Sequence, residues 1–368
     1  MSRTLFRPTS DTSAERRWPA WVGYAAAVWS LAYGALGVYW AQGGAGFPFG
    51  VGHDTAPDLS ALGSVRREVG APAIAALGLG GAAMAVTMAR AWGRGPRSAA
   101  LLGAAWTCAA VLALVIPDYR LLVLVAYAPI LLVGAPFGWP PGVRLADALP
   151  WPVLNQLVCL SGGLLWACTA TAYRRRIRGA CGFCGRTDAG AEWTRPGAAA
   201  RWGRWAVAVA VCVPVLFALT RWAWALGVPL GIDAGFFREG QTSGLWWRGA
   251  ALATLAVGGA FLTLGLIRGW GDVFPRWLPV LAGKRVPPAL AIVPGALVAV
   301  IVTAAGLMFV RQALTGTFTI GDTISRFGEN WAVVGPELLW PLWGVALGAA
   351  TLAYYYRTRG RCVHCGRL

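Results

Sequence analysis

The chain has 368 residues, 57% of them hydrophobic and only 13% charged, with a mean hydropathy of +0.57. Soluble domains carry about 25% charged residues, so half that value together with long apolar runs excludes an ordinary soluble fold and indicates a polytopic membrane protein. The formal net charge of +17 raises nucleic acid as a partner. The arginines border apolar runs and form no separate basic domain, however, so no nucleic-acid partner is expected, and the charge reads as membrane topology and attraction to anionic lipid.

The first twenty residues are polar, with Arg16 and Arg17 just ahead of the first apolar run. No small-residue cleavage site follows a short apolar core, so the first helix reads as an uncleaved signal-anchor after a cytoplasmic tail, 1–19. Crossing hydrocarbon takes about 20 apolar residues in a helix, because every backbone polar group must be bonded internally. Runs of that kind predict spans over 20–42, 70–89, 99–117, 151–173, 204–226, 249–267, 288–310 and 332–356.

A further apolar run, LLVLVAYAPILLVGA (121–135), is short and interrupted by Pro129. Cytoplasmic segments should be rich in basic residues. With eight spans and the N-terminus inside, the inner segments hold 23 of the 32 basic residues and 5 of the 15 acids, net +18, against −1 outside. Letting 121–135 span would place YRRRIRG outside. The run therefore reads as re-entrant or interfacial on the outer side, or as a bent extension of the third helix, and both termini of this multi-pass cell-membrane protein are expected in the cytoplasm.

Near the middle the chain writes RGACGFCGR (178–186), and it ends on RGRCVHCGR (359–367) before a last leucine. At the same offset of 181, Tyr173 maps to Tyr354, Arg176 to Arg357 and Trp21 to Trp202, and GFPFG (46–50) maps to GVPLG (227–231). With small loop shifts RAWG (90–93) matches RGWG (268–271). The predicted fold is thus all-α, eight transmembrane helices in two parallel four-helix repeats, 20–178 and 204–356, related by a pseudo-twofold along the membrane normal. A cytoplasmic linker (179–203) and tail (357–368) each carry one CxxC pair. In the Gly-x-Pro-x-Gly turns the glycines suit positive φ and the proline fixes φ.

Four of the eight cysteines, Cys108, Cys159, Cys168 and Cys212, sit singly in apolar helices, where a thiol behaves as a small hydrophobe. The others form the two pairs, Cys181 with Cys184 and Cys362 with Cys365. Two-residue spacing aims both sulfurs at one metal, and the glycine after each pair permits a tight knuckle. Brought together, the pairs make a closed four-thiolate site, the usual arrangement for structural zinc, with nearby arginines favouring the thiolates. Thiol–disulfide exchange is the rival use of CxxC. His364 lies inside the second pair where the first has Phe183, and reads as an exposed filler.

Polar residues inside spans are functional candidates by default. Glu337, in the eighth span, has Gln156 as its repeat partner, and Asn155 and Gln156 could bond across the interface between halves. Arg221 lies among Trp222 and Trp224 and reads as a snorkelling arginine in an aromatic belt, with anion binding the sharper alternative. Asp118 and Arg120, in PDYR, form a local ion pair or a pocket rim before the run that has no counterpart in the second half. His53, Asp54 and Asp233 read as loop residues. No P-loop, dinucleotide fingerprint, HExxH or nucleophile elbow is present.

The segment YWAQGG…GFPFG (39–50) resembles a signature of polytopic integral membrane proteins of GC-rich bacteria, for which no activity is established, so the resemblance implies a membrane protein and assigns no residue roles. Three functional classes stay open. One is a pseudo-symmetric small-molecule-binding or transport protein with a site between the halves near Glu337, Gln156 and Arg221; a second is a membrane thiol–disulfide oxidoreductase; the third is a scaffold or sensor docking a cytoplasmic protein partner. The first, which is not an enzyme, leads.

Overall fold

The computed structural model describes residues 18–90, 95–134, 137, 149–188, 190–274, 276, 282–317, 319–320, 323–324 and 330–367. Eight helical segments are long and apolar enough to cross a membrane. They are Trp18–Ala41 (α1), Arg67–Ala89 (α2), Pro96–Val115 (α3, whose last turn, Val111–Val115, is π-helical), Trp151–Ile177 (α5), Pro196–Ala225 (α6), Leu245–Leu264 (α8), Pro288–Thr315 (α9) and Trp331–Thr358, the last broken into Trp331–Leu338 (α10) and Trp340–Thr358 (α11). Two further helices are Tyr119–Gly134 (α4) and Ala234–Thr242 (α7). Among the described residues the only strands are Thr319–Ile320 and Thr323–Ile324, paired antiparallel.

Prolines stand in the first two positions of α3, α5, α6, α9 and α11, where the missing N–H has no intrahelical partner to lose. Pro196 starts α6 eight residues ahead of the predicted 204, so 196–203 is helical and not linker. Prolines also explain the break in the eighth span. Pro336 cannot donate to the Ala332 carbonyl, nor Pro341 to that of Glu337, and between them Leu339 closes a tighter turn by donating to the Pro336 carbonyl at 3.2 Å. Asp233, expected as a loop residue, caps α7 by accepting from the amides of Gly235 and Phe236. In both Gly-x-Pro-x-Gly turns the glycines have positive φ, +80° and +81° at Gly46 and Gly50, +90° and +56° at Gly227 and Gly231.

The spans pack with one pattern in both halves. α1 packs on α2 and α5, and α3 on α5; likewise α6 packs on α8 and α11, and α9 on α11. Hydrocarbon supplies no hydrophobic drive between helices, so close approach rests on small residues. Gly34 and Gly78 bring α1 and α2 so near that a Cβ on Gly78 would lie 2.4 Å from the Gly34 Cα. Across the halves α9 meets the π-turn of α3 and also α4, around the buried side chains of Ala113, Leu121, Leu160 and Ile301.

Residues 121–134 of the short apolar run lie in the separate helix α4, divided from α3 by a turn at Pro117–Asp118. Tyr119 meets Phe309 toward the Thr315 end of α9, while Leu124 and Val125 share a cluster with Leu297 and Val300 nearer its middle. α4 is therefore directed back along α9 into the bundle. Residues 135, 136 and 138–148, and the first Arg-x-Trp-Gly turn apart from Arg90, lie outside the described residues.

The C-terminal ends of α5 and α11 are tied to the ends of neighbouring helices in the same way. Arg176 donates to the carbonyls of Ala89 (2.6 Å) and Pro19, and Arg357 donates to the carbonyl of Leu266 (3.0 Å) and pairs with Asp272 (3.1 Å). At the opposite end Trp151 donates to the Gly46 carbonyl and the Ala332 amide to the Gly231 carbonyl.

Candidate metal centre and buried polar groups

Beyond α5 and beyond α11 the chain folds into the same knuckle twice. The amide of Cys181 donates to the Arg186 carbonyl at 3.0 Å, and that of Gly185 returns to the Cys181 carbonyl at 2.8 Å. Cys362, Arg367 and Gly366 repeat both bonds at the same lengths. Gly185 and Gly366 have φ of +72° and +70°, a backbone that a side chain would strain. The knuckles dock face to face: Arg186 donates to the Arg367 carbonyl (3.0 Å), and Arg367 donates to that of Arg186 (3.1 Å). His364 is exposed and its ring lies on Phe183, centroids 3.9 Å apart, so it is a packing partner and not a ligand.

Docking brings the sulfurs of Cys181, Cys184, Cys362 and Cys365 within 4.8 Å of one another, with Cys184 and Cys365 3.6 Å apart. Four sulfurs at about 2.3 Å from a tetrahedral zinc would be about 3.8 Å apart, so a small contraction closes this cage. The donor set suits the same ion: four soft ligands, with no carboxylate and no fifth group grouped with them among the described residues. Burial opposes ionisation, but the backbone N–H groups of Cys365 and His364, with the neighbouring thiols, draw the Cys362 thiol down to about 7, and Cys181 is lowered by the same devices. Cys184, which burial and its neighbours disfavour as a thiolate, is pushed up to about 12.

The charged groups expected as site residues fall into two clusters, and no hydrogen bond or ion pair joins them among the described residues. In the second half Arg221 is buried, not snorkelling. Its guanidinium lies 4.6 Å from the Phe217 ring centroid and 4.4 Å from that of Trp224, and pairs with Glu337. It also donates to the Ala332 carbonyl at 3.0 Å, the acceptor that Pro336 leaves without its helical donor. The other carboxylate oxygen of Glu337, Oε2, and the indole Nε1 of Trp340 are buried with no hydrogen-bond partner.

In the first half Arg120 bridges two carboxylates, Asp118 and Asp54, each at 2.6 Å. Gln156 completes the cluster by donating to Asp118 Oδ2 at 2.8 Å and accepting from the Asp118 amide at 3.1 Å. Asp54, which reads as a loop residue in the sequence, is 8% exposed. Burial raises its pKa, but the hydrogen bonds and charge of Arg120 outweigh that and hold the carboxyl below its usual range. Asn155 accepts from the Tyr33 hydroxyl at 2.9 Å and lies 3.8 Å from Cys159 Sγ. Among the described residues neither Asn155 nor Gln156 bonds across to the second half, so the expected single site holding Glu337, Gln156 and Arg221 between the halves is not assembled by these contacts.

Of the remaining cysteines Cys159 is buried, Cys108 half-buried, and Cys168 and Cys212 exposed on their helices. Compared with protein-family models, curated proteins and solved structures, the chain matches none.

Proposed function

We propose that this integral membrane protein consists of two parallel four-helix repeats with both termini in the cytoplasm, joined beneath the bilayer by one structural zinc ion, and that it binds or transports a small molecule. The zinc reading rests on one observation: four thiols, from segments 181 residues apart, converge within 4.8 Å. Support for the duplication comes from the helix-packing pattern common to the halves and from Arg176 and Arg357, which tie equivalent helix ends. The excess of basic residues in segments at the cysteine-bearing ends supports the orientation.

Metal analysis of the purified chain tests the zinc site. One zinc per chain, lost in Cys362→Ser, with four thiols reacting only after chelation, is the expected result. Thiol exchange is the second reading, favoured by the Cys184–Cys365 separation of 3.6 Å; metal-free protein with two thiols lost and recovered on redox cycling would establish it in place of zinc.

Binding of a small molecule is supported by Glu337, whose Oε2 is buried and unpartnered in a span. A thermal-shift panel of small polar solutes on the wild type and Glu337→Gln tests this. A solute that stabilises only the wild type supports the role, and a panel without one removes it.

A further inference from the structure

Where α5 and α11 end, the two halves leave basic groups without acidic partners. Arg174 is exposed and makes no side-chain hydrogen bond or ion pair among the described residues. The Arg359 guanidinium lies 4.4 Å from the Tyr356 ring centroid and 5.5 Å from that of Tyr355. Arg174 and Arg175 stand in the last turn of α5 and Arg359 directly after α11, so both halves bring charge toward Tyr356. Among the described residues no acid forms an ion pair with Arg174, Arg175 or Arg359: Asp188 pairs with Arg367 and Asp272 with Arg357. Around this point stand the Trp193 ring, edge-on to Tyr356 at 5.2 Å and 53% exposed, and Trp18 under Arg175 at 5.3 Å.

We propose that Arg174 and Arg359, with the Tyr356 hydroxyl, bind the phosphate of an anionic phospholipid headgroup at the junction of the two halves. Guanidinium forks match phosphate oxygens, and exposed tryptophans at the ends of spans belong at the headgroup level. Two unneutralised charges favour a headgroup of net negative charge over a zwitterionic one, whose own cation competes for the phosphate. A lipid fits better than a soluble anion because both arginines lie in the last turn of a span or just after it, where acyl chains can lie along the bundle. The inference rests on the membrane-spanning reading of the chain.

Native mass spectrometry of the full chain in detergent, titrated with phosphatidylglycerol and separately with phosphatidylcholine, tests it. The wild type should retain phosphatidylglycerol selectively. Arg174→Gln with Arg359→Gln should weaken retention at least about tenfold, as loss of one charge-assisted hydrogen bond does. Arg201→Gln with Arg204→Gln, both exposed at the start of α6, should leave retention unchanged. Should the first pair fail to fold, Tyr356→Phe keeps the ring and is expected to weaken retention several-fold. Undiminished retention in the first pair or in Tyr356→Phe, equal loss in the control pair, or release by inorganic phosphate would each overturn the proposal. A chain that retains both lipids alike also overturns it, whereas a chain that stays soluble without detergent strikes the membrane-spanning reading itself.

Discussion

Arg221 shows how one proline sets the role of a residue far away in the chain. Pro336 removes the donor for the Ala332 carbonyl, and inside a membrane an unsatisfied carbonyl costs several kcal/mol. Arg221 fills that vacancy while pairing with Glu337. Removing one member of a buried pair leaves a bare charge, at a cost of about 3–5 kcal/mol. Arg221→Met should therefore lower the unfolding midpoint steeply. Adding Glu337→Leu should recover much of the loss, and adding Pro336→Ala a further part, since alanine returns the amide that Ala332 lacks. Equal effects in a wild-type and a Pro336→Ala background, measured as a double-mutant cycle, would show that the carbonyl is not what Arg221 serves. The sequence around Arg221 shows only tryptophans, which is why it read as snorkelling; its partner lies 116 residues away.

Asp54 poses the same difficulty for sequence reading and carries a pH signature. Its carboxyl is held below the ordinary range by Arg120, against the effect of burial. The sign follows from linkage: a lowered folded-state pKa stabilises above the ordinary carboxylate pKa of about 3.9, and that contribution is lost as pH falls through the lowered value. The midpoint of wild-type protein should thus fall more than that of Asp54→Asn, which lacks this titration, as pH is lowered from about 4. Parallel acid limbs for the two proteins would mean that Arg120 does not depend on Asp54.

Among the helices, the spans were legible because hydrocarbon demands one thing of every backbone, and eight apolar runs became eight helical segments, the last broken into α10 and α11. Less legible was where helices continue past the hydrocarbon. α6 starts at Pro196, ahead of Arg201 and Arg204, so a hydropathy reading sees only its later part. The sequence leaves the run at 121–135 open between a separate segment and a bent extension of α3; its separation depends on Asp118, which accepts from the Arg120 amide at the start of α4 and is held by Gln156 from α5. Close packing makes a sharper claim about α1 and α2. A Cβ on Gly78 meets the Gly34 backbone at 2.4 Å, with the Ser30 carbonyl at 2.7 Å, so neither neighbour is a side chain that can swing aside. Gly78→Leu should force the helices apart and destabilise by at least the about 1–3 kcal/mol typical of overpacking. Gly80→Leu, two residues away with open space at its Cβ, should be near neutral, and thermal unfolding of the two variants side by side separates packing from helix propensity.

For the whole molecule, the cysteine spacing told that two half-sites exist, and the repeated phrase suggested that they meet; what no spacing could tell was how the halves touch elsewhere. They meet through α9 against α3 and α4, whereas α5 and α11, which carry the knuckles, make no extensive contact with each other. At that end the coupling of the halves falls to the docked knuckles and to whatever the four thiols hold. A metal there contributes its binding free energy to folding, and it does so only while the halves are together. Chelation should accordingly lower the unfolding midpoint and also split one calorimetric transition into two, one for each half. Acid should act as chelation does, because zinc requires four thiolates and Cys184 holds its proton up to about 12 without the metal. Zinc loading of the stripped protein should therefore release protons, and its affinity should fall steadily as pH is lowered through about 7, where Cys362 also becomes protonated. A stripped chain that still unfolds in one unshifted transition would mean that α3, α4 and α9 suffice to hold the halves, leaving the knuckles free for exchange chemistry.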